Sequence, residues 1–350
     1  MNITFEGTNY TLENLNELEK KYPESKNLLQ FIRDWQNNNP MYSFETSGST
    51  GKPKKIIIQR DQIQSSAEAT IQYLGLQNQD QVLLCLNPNF IASIMMVARC
   101  IINNMDLHVQ RPASNPLETL RAEINFASFV PFQIYRMIED NNIDQLKSIK
   151  NILIGGAPLS NSAFEVLASL DTNIYLTYGM TETVSHIALM PVKGSHSDAN
   201  FQIIPGIEID QDADLCLKIK GKVTNNQWIQ TNDVIEIKNE KEFKWIGRRD
   251  DVINSGGIKI HPEQIEKTLQ EILSFPFIIS WRENEKLGRE CIIISENHEI
   301  SQGQLTLIKE MIENKFSKFH IPKSANSVHQ FPRTESGKLK REAIRLLTLN

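Results

Sequence analysis

From Tyr42 onward the chain alternates short apolar strands with longer helical stretches, and that alternation limits the fold more than any other feature. Strands are expected at Ile56–Gln59, Val82–Leu86, Asn125–Val130, Asn151–Ile154 and Asn173–Thr177. Between them, helices fit Asp61–Leu74, Phe90–Asn103, Pro131–Asn141 and Leu159–Leu170, with Asp61 as an N-cap and Pro131 in a first turn. Such alternation implies an α/β fold with a mainly parallel sheet covered by helices. The first forty residues read as helical, with Leu28, Leu29, Phe31, Ile32 and Trp35 forming an apolar stripe.

After Gly194 the pattern changes. LCLKIK, WIQT, VIEI and FKWI read as antiparallel strands joined by polar turns, a small β-rich part of the same large N-terminal domain. Beyond GRRDD the pattern gives a hairpin, a helix at Pro262–Leu273, strands at Phe277–Trp281 and Glu290–Ser295, and a helix near Gln304–Phe316. The 350 residues therefore divide into a domain over 1–249 and a small α+β C-terminal domain over 250–350.

Composition excludes several function classes. With 37 Lys+Arg against 42 Asp+Glu, the net charge of -5 argues against nucleic acid as the main partner. No apolar run nears the ~20 residues that span a bilayer, and the N-terminus shows no secretory signal, so a cytoplasmic protein with no membrane partner is expected. Cys85, Cys100, Cys216 and Cys291 lie far apart in apolar surroundings and read as buried reduced thiols.

Chemistry concentrates in a few segments. Thr46-Ser47-Gly48-Ser49-Thr50-Gly51-Lys52-Pro53-Lys54 combines hydroxyls, glycines and lysines between strand-like YSFE and KIIIQ. Glycines let a backbone present its N–H groups, hydroxyls add donors and lysines add charge, which suits a polyphosphate. The spacing is not that of a Walker A loop. Tyr178-Gly179-Met180-Thr181-Glu182-Thr183 and Gly155-Gly156-Ala157-Pro158 each follow a strand, where ligands collect in such sheets. Tyr178 can stack on a base, and Glu182 can offer a carboxylate to Mg²⁺. Asp233 in Thr231-Asn232-Asp233 can bind ribose hydroxyls. Arg99 stands on an apolar helix, where burial without a partner would be costly. It either pairs with a substrate carboxylate or snorkels to solvent.

Taken in order, TSGSTGKPK, YGMTET, TND, GRRDDVINSGGIKIHPEQIE and PRTESGKLKR resemble the signature segments of the acyl-adenylate-forming (AMP-binding) superfamily. GGAPL, YGMTETVSHIA and LNPNFIASIMMVARC make the chain most similar to the o-succinylbenzoate–CoA ligase family of menaquinone biosynthesis. Departures are Glu45 in place of a common aromatic, Lys55 and Asn232 in place of glycines, and only about 45 residues before the phosphate loop, which implies a trimmed N-terminal region.

The resemblance implies a ligase that uses ATP, Mg²⁺ and CoA to activate a small carboxylic acid through acyl-AMP. It assigns Thr46, Ser47, Gly48, Ser49, Thr50, Gly51 and Lys54 to phosphates, with Thr181 near the α-phosphate and Glu182 on Mg²⁺. Gly155, Gly156, Ala157, Tyr178 and Gly179 would flank the adenine, while Asp233 and Arg248 would hold the ribose. Lys338 would be the catalytic lysine, Asp250 the hinge of a mobile C-terminal domain, and Gly256-Gly257 part of the CoA channel. The acyl pocket would take Arg99, Ser185 and His186. A ligase for another acid, an adenylation domain loading a carrier protein and a non-catalytic nucleotide-binding module remain open, as does the oligomeric state.

Overall fold

A computed structural model describes residues 1–46, 54–120, 122–196, 199–333 and 339–349. Its spine is a 13-stranded sheet among the described residues. Six strands run parallel: Ile3–Phe5, Asp106–Val109, Gln81–Leu84, Ile124–Phe129, Ile149–Ile154 and Asn173–Gly179, in that spatial order. At Asn173–Gly179 the pairing changes to antiparallel with His186–Pro191. It continues through Phe201–Ile203, Glu242–Arg248, Ile229–Asn239, Cys216–Gly221 and Ile207–Gln211. The β-rich part expected to stand beside the parallel sheet is thus its continuation.

Alternation along the strands builds a core on each face. Val82, Leu84, Phe126 and Leu153 join the helices Lys26–Gln36, Arg60–Leu74 and Ile91–Ile102 on one side. Leu83, Cys85, Ile152 and Ile154 join Pro131–Glu139 and Asn161–Ala168 on the other. The stripe Leu28, Leu29, Phe31, Ile32 and Trp35 is buried, as its spacing predicts, and all four cysteines are buried free thiols.

Three local expectations are corrected. The first residues form a hairpin, Ile3–Phe5 with Thr8–Tyr10, that extends the parallel edge before the helices Leu15–Lys21 and Lys26–Gln36 begin. The strand expected at Ile56–Gln59 spans Lys54–Gln59 and lies outside the main sheet, in a two-stranded antiparallel ribbon with Met41–Thr46. Gln59, not Asp61, caps the following helix, its backbone N–H donating to Gln62 Oε1 at 2.9 Å.

A second sheet contains Ile258–Ile260, Ile253–Ser255, Gly288–Glu296, Phe277–Asn284 and Ala325–Val328. Helices Pro262–Leu269 and Gln302–Lys315 cover it around Ile253, Ile265, Leu269, Ile279, Ile293, Ile308 and Ile312. Gly256 and Gly257 form the two-residue turn between Ser255 and Ile258, at φ +58° and +85°. Both angles positive is the geometry that matches the strand twist and favours glycine. The second sheet's Pro262–Leu269 helix reaches the large sheet through polar contacts. Lys267 Nζ donates to the His196 carbonyl at 2.8 Å, and Asn161 Nδ2 donates to the Lys267 carbonyl at 2.7 Å.

Candidate active site

The anticipated nucleotide-side residues gather where parallel pairing turns antiparallel, at the carboxyl ends of adjacent strands Ile149–Ile154 and Asn173–Gly179. Gly155, Gly156 and Ala157 leave the first strand; Tyr178 and Gly179 end the second. A side chain at Gly179 would place its Cβ 2.3 Å from the Ser185 carbonyl, so glycine lets the chain fold back upon itself. Thr181–Thr183 then make a short 3₁₀ turn that presents Glu182 to solvent. The return is a γ-turn: Ser185 N–H donates to the Thr183 carbonyl at 2.7 Å, across a buried Val184 at φ +68° and ψ −54°. A β-branched residue rarely adopts that conformation, and such strain concentrates at functional sites.

Asp233 organises the polar side of the switch. Tyr178 Oη donates to its Oδ2 at 2.8 Å, Trp245 Nε1 donates to its Oδ1 at 3.1 Å, and Arg248 Nε lies 3.6 Å from Oδ1. Asp233 and Arg248 are cross-strand partners, so the hairpin register delivers the pair. The Tyr178 ring meets Phe201 and Phe243 edge-on. Burial, and then the Asp233 carboxylate, push the Tyr178 hydroxyl well above the usual phenol range. Trp245, Phe201 and Phe243 were not anticipated; each reads as an ordinary apolar strand position in the sequence.

The anticipated acyl-pocket residues are brought together by three elements. Arg99, on the Ile91–Ile102 helix, is 2% exposed and has no carboxylate partner among the described residues. Its Nη2 donates to Ser185 Oγ at 3.3 Å, its Nη1 lies 3.7 Å from Met96 Sδ, and its Nε is unpartnered. Burial lowers Arg99 to about 10, which still leaves it cationic at neutral pH. His186 is buried, with Nε2 2.9 Å from Thr70 Oγ1 and Nδ1 3.4 Å from Ser185 Oγ. Burial and the nearby Arg99 hold it well below the usual imidazole range, hence neutral.

At the junction of the two sheets, Asp250 Oδ2 accepts from Asn232 Nδ2 at 2.7 Å, while Arg249 Nη2 donates to Asn232 Oδ1 at 2.7 Å. The asparagine that departs from the family glycine therefore ties Ile229–Asn239 to the turn Arg249–Asp251. Thr46 and Lys54 are register partners at the end of their ribbon where the chain passes from one strand to the other. Ser47, Gly48, Ser49, Thr50 and Gly51, and likewise Lys338, lie outside the described residues. Among the described residues there is no cluster of three or more His, Cys, Asp or Glu able to hold a metal, and no helix long and apolar enough to cross a membrane.

Comparisons with known proteins give the family and the fold. The 2-succinylbenzoate–CoA ligase of Listeria monocytogenes is 26% identical over 370 residues, covering 98% of this chain and 77% of its own length. A solved acyl-CoA synthetase (AMP-forming)/AMP-acid ligase II-like protein from Dyadobacter fermentans is 33% identical with a TM-score of 0.64, covering 94% of this chain and 95% of that one. The o-succinylbenzoate CoA synthetase of Bacillus subtilis, solved with its acyl-adenylate intermediate, is 23% identical and shares the fold at a TM-score of 0.74 over 87% of this chain and 68% of its own. The AMP-binding enzyme family profile matches residues 4–211, over half of the sequence, and the chain belongs to the AMP-binding enzyme family.

Proposed function

We propose that this chain is an ATP-dependent acid–CoA ligase acting through acyl-AMP, with o-succinylbenzoate as its acid. The carboxylate of the acid attacks the α-phosphorus of ATP, releasing pyrophosphate; the CoA thiolate then displaces AMP and leaves a thioester. Because the first step crowds negative charges, the protein's task is to position and neutralise. The loop from Thr46 to Lys54 would hold the phosphates and Thr181 the α-phosphate. Gly155, Gly156, Ala157, Tyr178 and Gly179 would bound the adenine, with Asp233 and Arg248 on the ribose.

Glu182 offers one exposed carboxylate, with no metal-ligating cluster of His, Cys, Asp or Glu among the described residues. That donor set suits Mg²⁺, which keeps waters and phosphate oxygens as its other ligands. When bound, the ion spreads phosphate charge. Asp250 would be the pivot about which residues 250–350 turn between half-reactions, with Gly256-Gly257 lining the way for CoA. Lys338 would bridge carboxylate and α-phosphate in the first.

The observation that carries the choice of acid is Arg99. A buried guanidinium with an unpartnered Nε needs an anion, and o-succinylbenzoate brings a second carboxylate beyond the one that reacts. Ser185 and His186 complete a polar end to that pocket.

Pyrophosphate release should be screened over a panel of mono- and dicarboxylic aromatic acids, with and without CoA. Release with o-succinylbenzoate, and thioester only when CoA is present, is the expected result. Preference for a monocarboxylic acid would assign a different acyl-CoA ligase. No release with any acid would leave a nucleotide-binding module.

A further inference from the structure

Thr70, on the Arg60–Leu74 helix, has its hydroxyl fully buried and is named by no motif. Its Oγ1 donates to the Ser66 carbonyl one turn back at 3.1 Å and lies 2.9 Å from His186 Nε2. A threonine hydroxyl has one proton. With that proton on the Ser66 carbonyl, the oxygen can only accept, so His186 is protonated at Nε2 and bare at Nδ1. Bare Nδ1 accepts from the Ser185 hydroxyl at 3.4 Å, and the Ser185 oxygen in turn accepts from Arg99 Nη2 at 3.3 Å. One helical back-bond thus sets the direction of the links from Ser66 through His186 to Ser185, and the last link is fixed by arginine, which can only donate. The other tautomer would require Thr70 to abandon its helix bond.

A second observation marks the cluster as built for a ligand. Of the five buried side-chain atoms without partners among the described residues, one is Arg99 Nε; another, Ser66 Oγ, lies on the Thr70 helix one turn back. Both residues are at least 98% buried. Unpaired buried polar atoms are uncommon, and one on a cationic guanidinium points to a missing polar group.

We propose that Thr70 is a positioning residue for acid specificity: by fixing His186 as the Nε2–H tautomer it draws the Ser185 proton onto His186 Nδ1, which turns the Ser185 lone pairs toward Arg99 and holds the guanidinium with its Nε–H open to an incoming carboxylate. The inference rests on the reading of Arg99 as the site for the acid's second carboxylate. Thr70 itself touches no substrate. Its effect runs through His186 and Ser185.

The test combines imidazole ¹⁵N spectra of the full chain with steady-state kinetics for Thr70→Val and Thr70→Ser. Unmutated protein should show a neutral His186 with a bare Nδ1. Thr70→Val should lose that pattern and raise KM for the dicarboxylic acid by roughly tenfold, with kcat changed less than about threefold. The KM of a monocarboxylic analogue should stay put, and Thr70→Ser should restore both readouts. An unchanged imidazole pattern in Thr70→Val, or a changed pattern with an unchanged KM, overturns the proposal. If Thr70→Val does not fold, Thr70→Ala supplies the same two readouts. Failure of the unmutated chain to use any dicarboxylic acid removes the reading of Arg99, and the imidazole signature then decides the tautomer by itself.

Discussion

Two polar clusters flank the same switch point and differ in how complete they are. Around Asp233 both carboxylate oxygens are met, by Tyr178 on one side and by Trp245 and Arg248 on the other. Around Arg99 the charge is more deeply buried and less well met: a hydroxyl, a thioether and one empty Nε. The first is a finished anchor whose hydrogen bonds offset its own burial. The second is a receptor that carries an uncompensated desolvation cost until an anion arrives. Arginine cannot relieve that cost by shedding its proton at neutral pH. A site of this kind trades fold stability for ligand selectivity.

The largest effect should come from a residue belonging to neither cluster. Lys338→Ala is expected to slow acyl-AMP formation by 10²–10³ or more, while thioester formation from supplied acyl-AMP is spared. Equal loss in both half-reactions would refute its role. Because the clusters bind and do not drive the chemistry, the variant should retain the affinities for ATP and acid, read by equilibrium binding.

The contrast between the clusters predicts stability changes of opposite sign. Asp233→Ala leaves the Tyr178 hydroxyl and Trp245 Nε1 without their acceptor, and should cost about 2–4 kcal/mol with a raised KM for ATP. Arg99→Met removes an orphaned cation and should gain about 1–3 kcal/mol while raising KM for the dicarboxylic acid by roughly 10². Denaturant titration of both proteins without ligand is the measurement. Destabilisation by Arg99→Met would mean that its hydrogen bonds to Ser185 and Met96 outweigh its burial, and the receptor interpretation would fall.

How much of this was legible depended on whether the information was contiguous. The Gly155–Pro158 and Tyr178–Thr183 segments sit at strand ends that apolar runs announce, so their place after those strands followed from the sequence. Arg99 stood out because a charge interrupts an apolar helix. Thr70 and Trp245 did not, since each acquires its role only from partners 116 and 12 residues away. Ile3–Phe5 and Asp106–Val109 are too short to show a period, and the second also carries Asp106 and His108. His186–Pro191 was missed because the strained turn at Val184, which starts it, carries no glycine.

A smaller effect tests whether an orphaned group must always wait for a ligand. Glu263, on the Pro262–Leu269 helix, packs against Gly247, accepts from the Arg248 N–H at 3.3 Å through Oε1, and has a buried, unpartnered Oε2. Burial pushes its carboxyl up to about 8; Arg341 opposes that shift, whereas Glu266 and Asp251 reinforce it. Unlike Arg99, this group can meet its burial by keeping a proton. Between the ordinary carboxylate range and pH 8 the folded chain holds a proton that the unfolded chain has released, so stability falls as pH rises across that window. Glu263→Gln removes the titration and keeps an oxygen for Arg248. The variant should match the unmutated chain near pH 5 and exceed it by about 1–3 kcal/mol near pH 8.5, read from Tm at both values. An advantage of equal size at both pH values would show that Glu263 is ionised in the fold, leaving Arg341 of the same domain to neutralise it.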